Sequence, residues 1–375
     1  MTLLQLAVHN LLRRRARTAL TVCAVALGIA AIVALTGIAW GFEASWQKAN
    51  DSRGTDLIVT RVASENSMPS PFLAEAGTRT LKGMPHVQDV VGLLSEMLSV
   101  SADAPPVFVF GWAWDSYLWK HLQLVRGRWP ASDEEAGVVL GSIAADLLHK
   151  GPGDALEIEG RPFKVVGVFE SPAVIENGAL IVTLTQAQQV TDKPGKVNVL
   201  NIKLDGDASQ KDAEAIKARV RATMPGYIAF TSGELVRQNA IVRIAKAMSD
   251  ATILVASLVG TLVVFNTMLM SVNERTREVG ILQAVGWHAR TIIRLIVGEA
   301  VLLTLTGGVL GCLIGIAAAT GLSHLDLMRG KIDAVFSPLF LAGVLALSAL
   351  LGIAGGLLPA IKASRMLPAR ALRHE

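Results

Sequence analysis

The charged side chains best suited to binding or catalysis lie in one segment, Ser271–Ala300. The segment separates two long uncharged runs and carries Glu274, Arg275, Arg277, Glu278, Arg290, Arg294 and Glu299. Its charged clusters flank an apolar stretch closed by Gly286, which is typical of a short helix lying along a membrane surface. Such a segment suits a protein that is driven by a partner better than one that performs chemistry itself.

A helix over Glu274–Val285 is predicted within this segment. Twelve helical residues extend about 18 Å. The pairs Glu274–Arg277 and Arg275–Glu278, three residues apart, would hold its first turns together. Gly286 is expected to end the helix. A charged loop that only sets the membrane topology is the alternative, since every multi-span protein carries such arginines.

No phosphate-binding loop of the form G-x-x-x-x-G-K-[ST] occurs in the 375 residues. Gly195–Lys196 is followed by Val197, and Gly330–Lys331 is followed by Ile332. We therefore expect this chain to be non-catalytic, with no cofactor of its own; if ATP drives it, that ATP would be bound and hydrolysed on a separate polypeptide.

Metal and cysteine chemistry are also not expected. His86, His121 and His149 lack the spacing of metal ligands. Cys23 and Cys312 both lie within uncharged runs, so no disulfide or nucleophilic cysteine is expected outside the membrane.

Four uncharged runs are long enough to cross a hydrocarbon core of about 30 Å. They are Thr18–Phe42, Ala251–Asn273, Ala300–Leu325 and Ala334–Ile361. Half of the chain is hydrophobic, at 51%, and the mean hydropathy of +0.46 is that of a membrane protein. The first run is too long for a signal-peptide core and is expected to be an uncleaved anchor. No charged residue lies in the middle of a run, which argues against an ion-driven carrier.

Basic residues cluster beside the first run, between the second and third, and after the fourth. By the positive-inside rule, both termini and the 274–299 segment are expected on the cytoplasmic side of the membrane, and the long insertion on the outer side. The net charge of +4 is then explained by topology, with the lipid bilayer and not nucleic acid as the partner.

Small and polar residues within the runs predict helix packing. Gly307, Gly311 and Gly315 recur every fourth residue in the third run, as do Gly352 and Gly356 in the fourth, a spacing that permits close approach of helices. Background glycine is the alternative. Asn266 in the second run is expected to form a hydrogen bond, either across a dimer interface or within the subunit.

The insertion is predicted to be an α+β domain over 46–237, between the membrane parts 1–45 and 238–375. Two β-α-β halves are indicated at its ends, by Asp56–Arg61, Phe72–Lys82, Val87–Val100, Val197–Leu204, Ala208–Met224 and Tyr227–Thr231. An inserted, mostly β subdomain is predicted at about 103–194, with strands Val107–Gly111, Gly137–Leu140, Ala155–Glu159, Phe163–Phe169 and Ala179–Thr183. Met1–Leu12 predicts an interfacial helix, and Glu43–Asn50 and Gly233–Asp250 predict helical stalks.

Three stretches together resemble the FtsX-like permease family, the membrane subunits of mechanotransmission-type ABC transporters such as the macrolide-export and lipoprotein-releasing permeases. They are NLLRRRARTALT from Asn10, NERTREVGILQA from Asn273 with Gly286, Glu299 and Gly307–Gly308 beyond it, and the tail from Pro359 to Arg373. Within the insertion, Gly127–Arg128, Val138–Gly141, Gly153–Asp154 and Phe163–Val168 resemble the periplasmic core domain of the macrolide-export branch.

The resemblance implies that 274–286 is a coupling helix that docks onto a cytoplasmic ATPase subunit. The coupling residues would be Glu274, Arg275, Arg277, Glu278, Gly280 and Gly286. Gln283 departs from the family's usual basic residue, which puts one contact with the ATPase in doubt. A second permease copy or paralogue and a periplasmic membrane-fusion or adaptor protein are the further partners implied.

The resemblance implies a permease that couples ATP hydrolysis to periplasmic movement and so exports or extracts a substrate. The alternative is a signalling scaffold that activates a periplasmic partner such as a cell-wall hydrolase.

Overall fold

The computed structural model describes residues 15–61, 70–100, 106–238, 240–325, 329–330 and 333–366, apart from the side chains of Ala76, Ala240 and Ile241. They form two compact units. The membrane unit takes 15–39, 245–321 and 334–366, and the extramembrane unit takes 40–244 and 322–333. The interfacial helix expected over Met1–Leu12 and the tail motif beyond Met366 lie outside the described residues.

The described helices follow the chain as α1 (Arg15–Ser52), α2 (Ala74–Lys82), α3 (Ser142–Leu148), α4 (Val174–Asn177), α5 (Leu184–Val190), α6 (Gln210–Thr223), α7 (Ser232–Gln238), α8 (Ala240–Glu274), α9 (Thr276–Ala284), α10 (Ala289–Ser323) and α11 (Pro338–Ser364). The described strands are β1 (Leu57–Arg61), β2 (Phe72–Leu73), β3 (Val87–Leu98), β4 (Val107–Trp112), β5 (Gln123–Gly127), β6 (Gly137–Gly141), β7 (Ala155–Ile158), β8 (Arg161–Glu170), β9 (Leu180–Thr183), β10 (Lys196–Val197), β11 (Val199–Leu204) and β12 (Tyr227–Phe230).

Four helices, α1, α8, α10 and α11, are long and apolar enough to span a membrane, which confirms the four predicted spans. The third of these helices, α10, begins at Ala289, eleven residues before the uncharged run that starts at Ala300. Arg290, Arg294 and Glu299 are good helix formers, so the helix continues through them although they are charged.

The membrane unit is held by close packing and by hydroxyl pairs between α1 and α8. Its core contains Val25, Ile29, Val33, Val264, Met268, Leu303 and Val344. The hydroxyls of Thr21 and Thr267 lie 2.9 Å apart, and those of Thr36 and Ser249 lie 2.6 Å apart. Between membrane helices such hydrogen bonds contribute about 0.6 kcal/mol each, and close packing provides much of the rest.

The extramembrane unit is built on one sheet in the order β12-β1-β11-β3-β4-β9-β6-β8-β5, with β7 also pairing β8. Its ladders are antiparallel except β4–β9 and β6–β8, which are parallel. The predicted inserted subdomain therefore continues the sheet of the two halves, through the β3–β4 pairs from Leu93–Trp112 to Leu98–Val107. The inserted part and the two halves each have a hydrophobic cluster of their own, and a third cluster, which includes Leu93 and Trp112, contains residues of both.

The predicted strands and helices of this unit are present, with shifted ends. The helix expected over Phe72–Lys82 begins at Ala74, because Phe72 and Leu73 pair with β10. Ser209 and Asp212 form a reciprocal capping box that starts α6. Strand β5 was not predicted, because it is largely exposed and lacks an apolar face.

Both expected helical extensions are observed in the extramembrane unit. Helix α1 continues to Ser52, and α7 precedes the start of α8. Phe42, Ala49, Ala173, Ile175, Val236 and Val242 form a shared buried cluster between these segments and α4. The Ser45 hydroxyl accepts a hydrogen bond from the Ile175 amide at 3.0 Å, and so satisfies a donor in the first turn of α4.

Candidate functional site

The charged segment folds as a short helix, α9, that is separated from α8 by a single residue. Arg275 has φ −109° and ψ 17°, outside the helical range, so α8 ends at Glu274 and α9 begins at Thr276. The twelve-residue helix predicted over Glu274–Val285 is therefore wrong in length: α9 has nine residues and extends about 14 Å. Gly286 has φ +99°, which favours glycine and ends the helix as predicted.

Glu274 joins α8 to α1. Its two carboxylate oxygens accept hydrogen bonds from the Arg17 guanidinium at 2.8 and 2.9 Å. The predicted Glu274–Arg277 pair is therefore wrong, because the break at Arg275 turns Glu274 towards α1 and leaves Arg277 exposed. Both members of the Arg17–Glu274 pair are about 30% exposed. The pair therefore adds little to the stability of the fold and serves mainly to orient the two side chains.

Arg275 joins α9 to α10. Its Nε donates to Glu278 at 2.9 Å, which confirms that predicted pair, and its Nη1 lies 3.2 Å from a Glu299 oxygen. The Glu299 side chain is only 4% exposed, whereas Arg275 keeps 18% of its surface exposed. A carboxylate buried to this degree needs such a partner to remain charged.

Gln283 joins α9 to α11. Its side-chain amide donates to the carbonyl oxygens of Ala363 at 3.4 Å and Ser364 at 3.2 Å, the unpaired acceptors at the end of α11. The residue at which the sequence departs from the family's usual basic side chain is thus directed to a helix of its own chain.

The opposite face of α9 is exposed and mixes charged with apolar side chains. Arg277, Ile281 and Val285 recur every fourth residue and so share one face, with Glu278 and Ala284 beside them. Ile281 is 47% exposed and Val285 is 77% exposed. Gly280, predicted as a coupling residue, is buried instead. We call Arg277, Glu278, Ile281, Ala284 and Val285 the α9 face. The sequence contained its signal in the spacing of the two apolar residues.

The glycines predicted to pack helices lie at contacts within the membrane unit. A Cβ on Gly307, Gly311 or Gly315 of α10 would come within 2.6–2.9 Å of a side-chain atom of α1. A Cβ on Gly352 or Gly356 of α11 would come as close to atoms of α10. These distances are shorter than any ordinary carbon contact, so only glycine permits the observed spacing of the helices.

Asn266 lies on the exposed side of α8, where no hydrogen-bond partner occurs for it within the described part of the chain. Large apolar side chains surround it along that face: Leu254, Val255, Leu258, Val259, Leu262 and Met270. The structure does not show the within-subunit bond that was one of the two expectations for this amide.

The extramembrane unit contains a buried ionic cluster that the sequence did not indicate. Glu176 is fully buried and accepts from Arg53 at 2.8 Å, from His121 at 2.9 Å and from the Ser171 hydroxyl. Burial acts to raise the pKa of Glu176, but the charge of Arg53 and these hydrogen bonds outweigh it and hold the pKa below its usual value. Arg53 also lies over the rings of Phe110 and Trp112.

The other two histidines that lack the spacing of metal ligands, His86 and His149, lie on the surface of this unit. His149 ends α3 with φ +51°. His86 lies beside Asp205 and Asp207, and ligand atoms of these three exposed side chains fall within 4.8 Å of one another. Exposed groups of this kind also occur without an ion.

Four apolar helices, a short amphipathic helix between the second and third, and a large α+β unit inserted after the first define a multi-pass membrane permease. Comparison with known families supports this class. The MacB-like periplasmic core domain matches residues 18–222, and the FtsX-like permease C-terminal domain matches residues 251–368. The chain belongs to the FtsX-like permease family of ABC transporters, and its extramembrane unit is a periplasmic domain.

Several relatives match almost the whole chain. The macrolide export ATP-binding/permease protein MacB of Nitrobacter winogradskyi is 28% identical over 95% of this chain, which spans 58% of that protein's length. An uncharacterised ABC transporter permease of Methanocaldococcus jannaschii, MJ1507, is 23% identical over 98% of this chain and 97% of its own. The periplasmic region of MacB from Actinobacillus actinomycetemcomitans covers 49% of this chain at 17% identity, with a TM-score of 0.40.

Proposed function

We propose that the chain is the permease subunit of an ATP-driven transporter in a bacterial inner membrane, with both termini and α9 in the cytoplasm. An ATPase on a separate polypeptide would bind the α9 face, and its ATP-driven movement would pass through the membrane helices to the periplasmic domain, which acts on the exported or extracted substrate. The basic residues flanking the membrane helices support this orientation.

The observation that carries the proposal is the α9 face itself. Two large apolar side chains, Ile281 and Val285, stand exposed beside Arg277 on a helix whose other side is fastened to its own chain. An exposed apolar pair with an adjacent charge is the composition of a small protein-binding surface. The 375 residues contain no phosphate loop, so the ATP-hydrolysing site of the proposed transporter would lie outside them.

The α9 face also determines how docking should be tested. Glu274 and Glu278 form ion pairs within the chain, so removing them would disturb the permease itself. We therefore choose Ile281→Glu/Val285→Glu, with Arg294→Gln as the control, since Arg294 is exposed on α10.

The tagged chain is purified from membranes of its own bacterium in mild detergent. The readouts are vanadate-sensitive ATP hydrolysis and a co-eluting chain that contains a phosphate loop. Wild type and control should retain both, and the α9 double variant should lose both while still inserting in the membrane. Full retention by the double variant would show that α9 does not dock the ATPase.

A second permease copy is proposed along the exposed side of α8. In lipid, the amide of Asn266 lacks water, and a second Asn266 related by two-fold symmetry supplies both a donor and an acceptor. With Cys23 and Cys312 replaced, Leu262→Cys should form an oxidised dimer in membranes, and Leu313→Cys on the exposed side of α10 should not. Crosslinking at Leu313 alone would place the interface elsewhere.

A further inference from the structure

Glu299 is a carboxylate buried within one of the membrane helices. Only 3% of the residue is exposed, although it lies ten residues after the start of α10. Burying a carboxylate at such a depth is costly, and a charged group kept there usually has a specific task. The docking surface proposed above does not use it, because the α9 face lies on the other side of α9.

The partner of Glu299 is the residue at which α8 and α9 separate. Arg275 has a non-helical backbone, and its guanidinium reaches Glu278 in the first turn of α9 and Glu299 in α10. The contact with Glu299 therefore fixes the direction in which α9 leaves α8.

Two further contacts fasten the same segment to the remaining membrane helices. Glu274, the last residue of α8, bonds to Arg17 of α1, and Gln283, near the end of α9, bonds to the last carbonyls of α11. The segment 274–283 is thus bound to α1, α10 and α11 at three separate points.

Apolar packing beneath α9 joins Val279 to buried side chains of α10 and α11, but it is incomplete. A small cavity lies between α8, α9 and α10, and its lining includes Met268, Val279, Leu282, Ile296, Arg275 and Glu299. A void removes part of the dispersion attraction between the elements around it. The polar contacts therefore carry a larger share in setting the position of α9 than they would in a filled core.

We infer that Glu299 is the positioning residue of α9, and that the three contacts make α9 move as one body with α1, α10 and α11. A displacement applied to the α9 face then reaches all four membrane helices together and is not transmitted by α8 alone. The inference rests on the proposed function for its purpose. The three contacts, which we call the clamp, belong to this chain and can be tested without an ATPase.

The test is hydrogen exchange of the full chain in lipid nanodiscs, followed by mass spectrometry. Glu299→Gln keeps the shape of the side chain and removes its charge. The amides of α9 should then exchange at least about tenfold faster, because Arg275 loses its buried anion and keeps only the half-exposed Glu278 as a partner. The amides in the middle of α1 and α10 should be unchanged. Arg294→Gln, which removes an exposed charge from the same helix, should leave all rates as in wild type.

A general acceleration in Glu299→Gln would mean that the variant unfolds. In that case the outcome is taken from Gln283→Ala, which removes only the side-chain hydrogen bonds to the end of α11. Exchange in α9 should then rise by about threefold, with no change in α1. Wild-type exchange of α9 in Glu299→Gln, or in Gln283→Ala when that variant decides, overturns the inference.

A second readout separates this inference from the proposed function. With the copurified ATPase, Glu299→Gln should retain the bound ATPase but lose the stimulation of ATP turnover by the permease. If α9 exchanges faster in Glu299→Gln while Ile281→Glu/Val285→Glu still retains the ATPase, the clamp is correct and the docking role of α9 is wrong. If exchange is unchanged while Ile281→Glu/Val285→Glu still releases the ATPase, the docking role is correct and the clamp is wrong.

Discussion

Replacing Gly311 with alanine should separate α1 from α10. The added Cβ would lie 2.6 Å from the Ile29 Cβ and 2.7 Å from the carbonyl oxygen of Ala26, about 1 Å inside ordinary contact. Because the carbonyl belongs to the helix backbone, one helix must move. Overpacking of this kind costs about 1–3 kcal/mol, and the better helix propensity of alanine returns about 0.5–1 kcal/mol. The net loss lies between about 0 and 2.5 kcal/mol and is about 1 kcal/mol at the middle of these ranges.

Gly298 provides a matched control on the same helix. Nothing lies within 4 Å of the Cβ position at Gly298, so Gly298→Ala keeps only the favourable propensity. The two substitutions are chemically identical and should change stability in opposite directions.

Cys312 is next to Gly311 and buried, so its thiol reports on opening at the site. In a Cys23→Ser background, thermal unfolding in detergent is followed by reaction of Cys312 with a thiol-specific fluorophore. Gly311→Ala should lower the midpoint by a few °C, and Gly298→Ala should leave it unchanged or raise it slightly. A midpoint for Gly311→Ala at or above that of wild type would falsify the assignment of this glycine to the α1–α10 contact.

Three further substitutions test the local structure. Glu176→Gln should destabilise the periplasmic domain by about 3–5 kcal/mol, since it leaves Arg53 buried without its counterion. Because the pKa of Glu176 is held low, wild type should lose stability as the pH falls below about 4.3 towards the folded pKa. Thermal unfolding at about pH 7 and about pH 4 should show that the variant lacks this part of the pH dependence. Gly286→Ala should cost more than about 1 kcal/mol, because alanine is strained at φ +99°, and faster proteolysis after α9 would report it. Ser209→Ala removes the cap of α6 and should cost about 1 kcal/mol of stability in the thermal unfolding assay. No change would mean that the capping box is absent in solution.

The number and order of the membrane helices could be predicted from sequence, because an uncharged run of sufficient length has few alternatives to a membrane helix. The strands of the periplasmic domain were similarly visible wherever an apolar face alternated with a polar one. Strand β5 was not, because it is exposed at the edge of the sheet and lacks such a face.

The candidate site was only half visible from sequence. Its location and the local Arg275–Glu278 pair followed from the charges around 274–299, but its two longer-range ion pairs did not. Glu274 pairs with Arg17, 257 residues away, and Arg275 pairs with Glu299, 24 residues away. Local spacing suggested Arg277 instead, because no glycine or proline marks the break at Arg275. A helix boundary without such a marker depends on tertiary contacts, which periodicity does not reveal.

The register of β1 against β12 determines how the periplasmic domain responds to mechanical load. Strand β1 follows α1 after a short turn, and β12 leads directly into α7 and α8. Their pairs run from Ile58–Phe230 to Arg61–Tyr227, so both connections enter the sheet at the same end of one antiparallel ladder. A force that pulls the two connections apart first separates Phe42 and Ala49 from Val236 and Val242. It then opens the β1–β12 ladder one residue pair at a time, starting from Ile58–Phe230. A force that draws both connections in the same direction leaves the ladder intact and moves the sheet as a whole. The domain is therefore mechanically weak to separation of its two connections and stiff to their joint displacement.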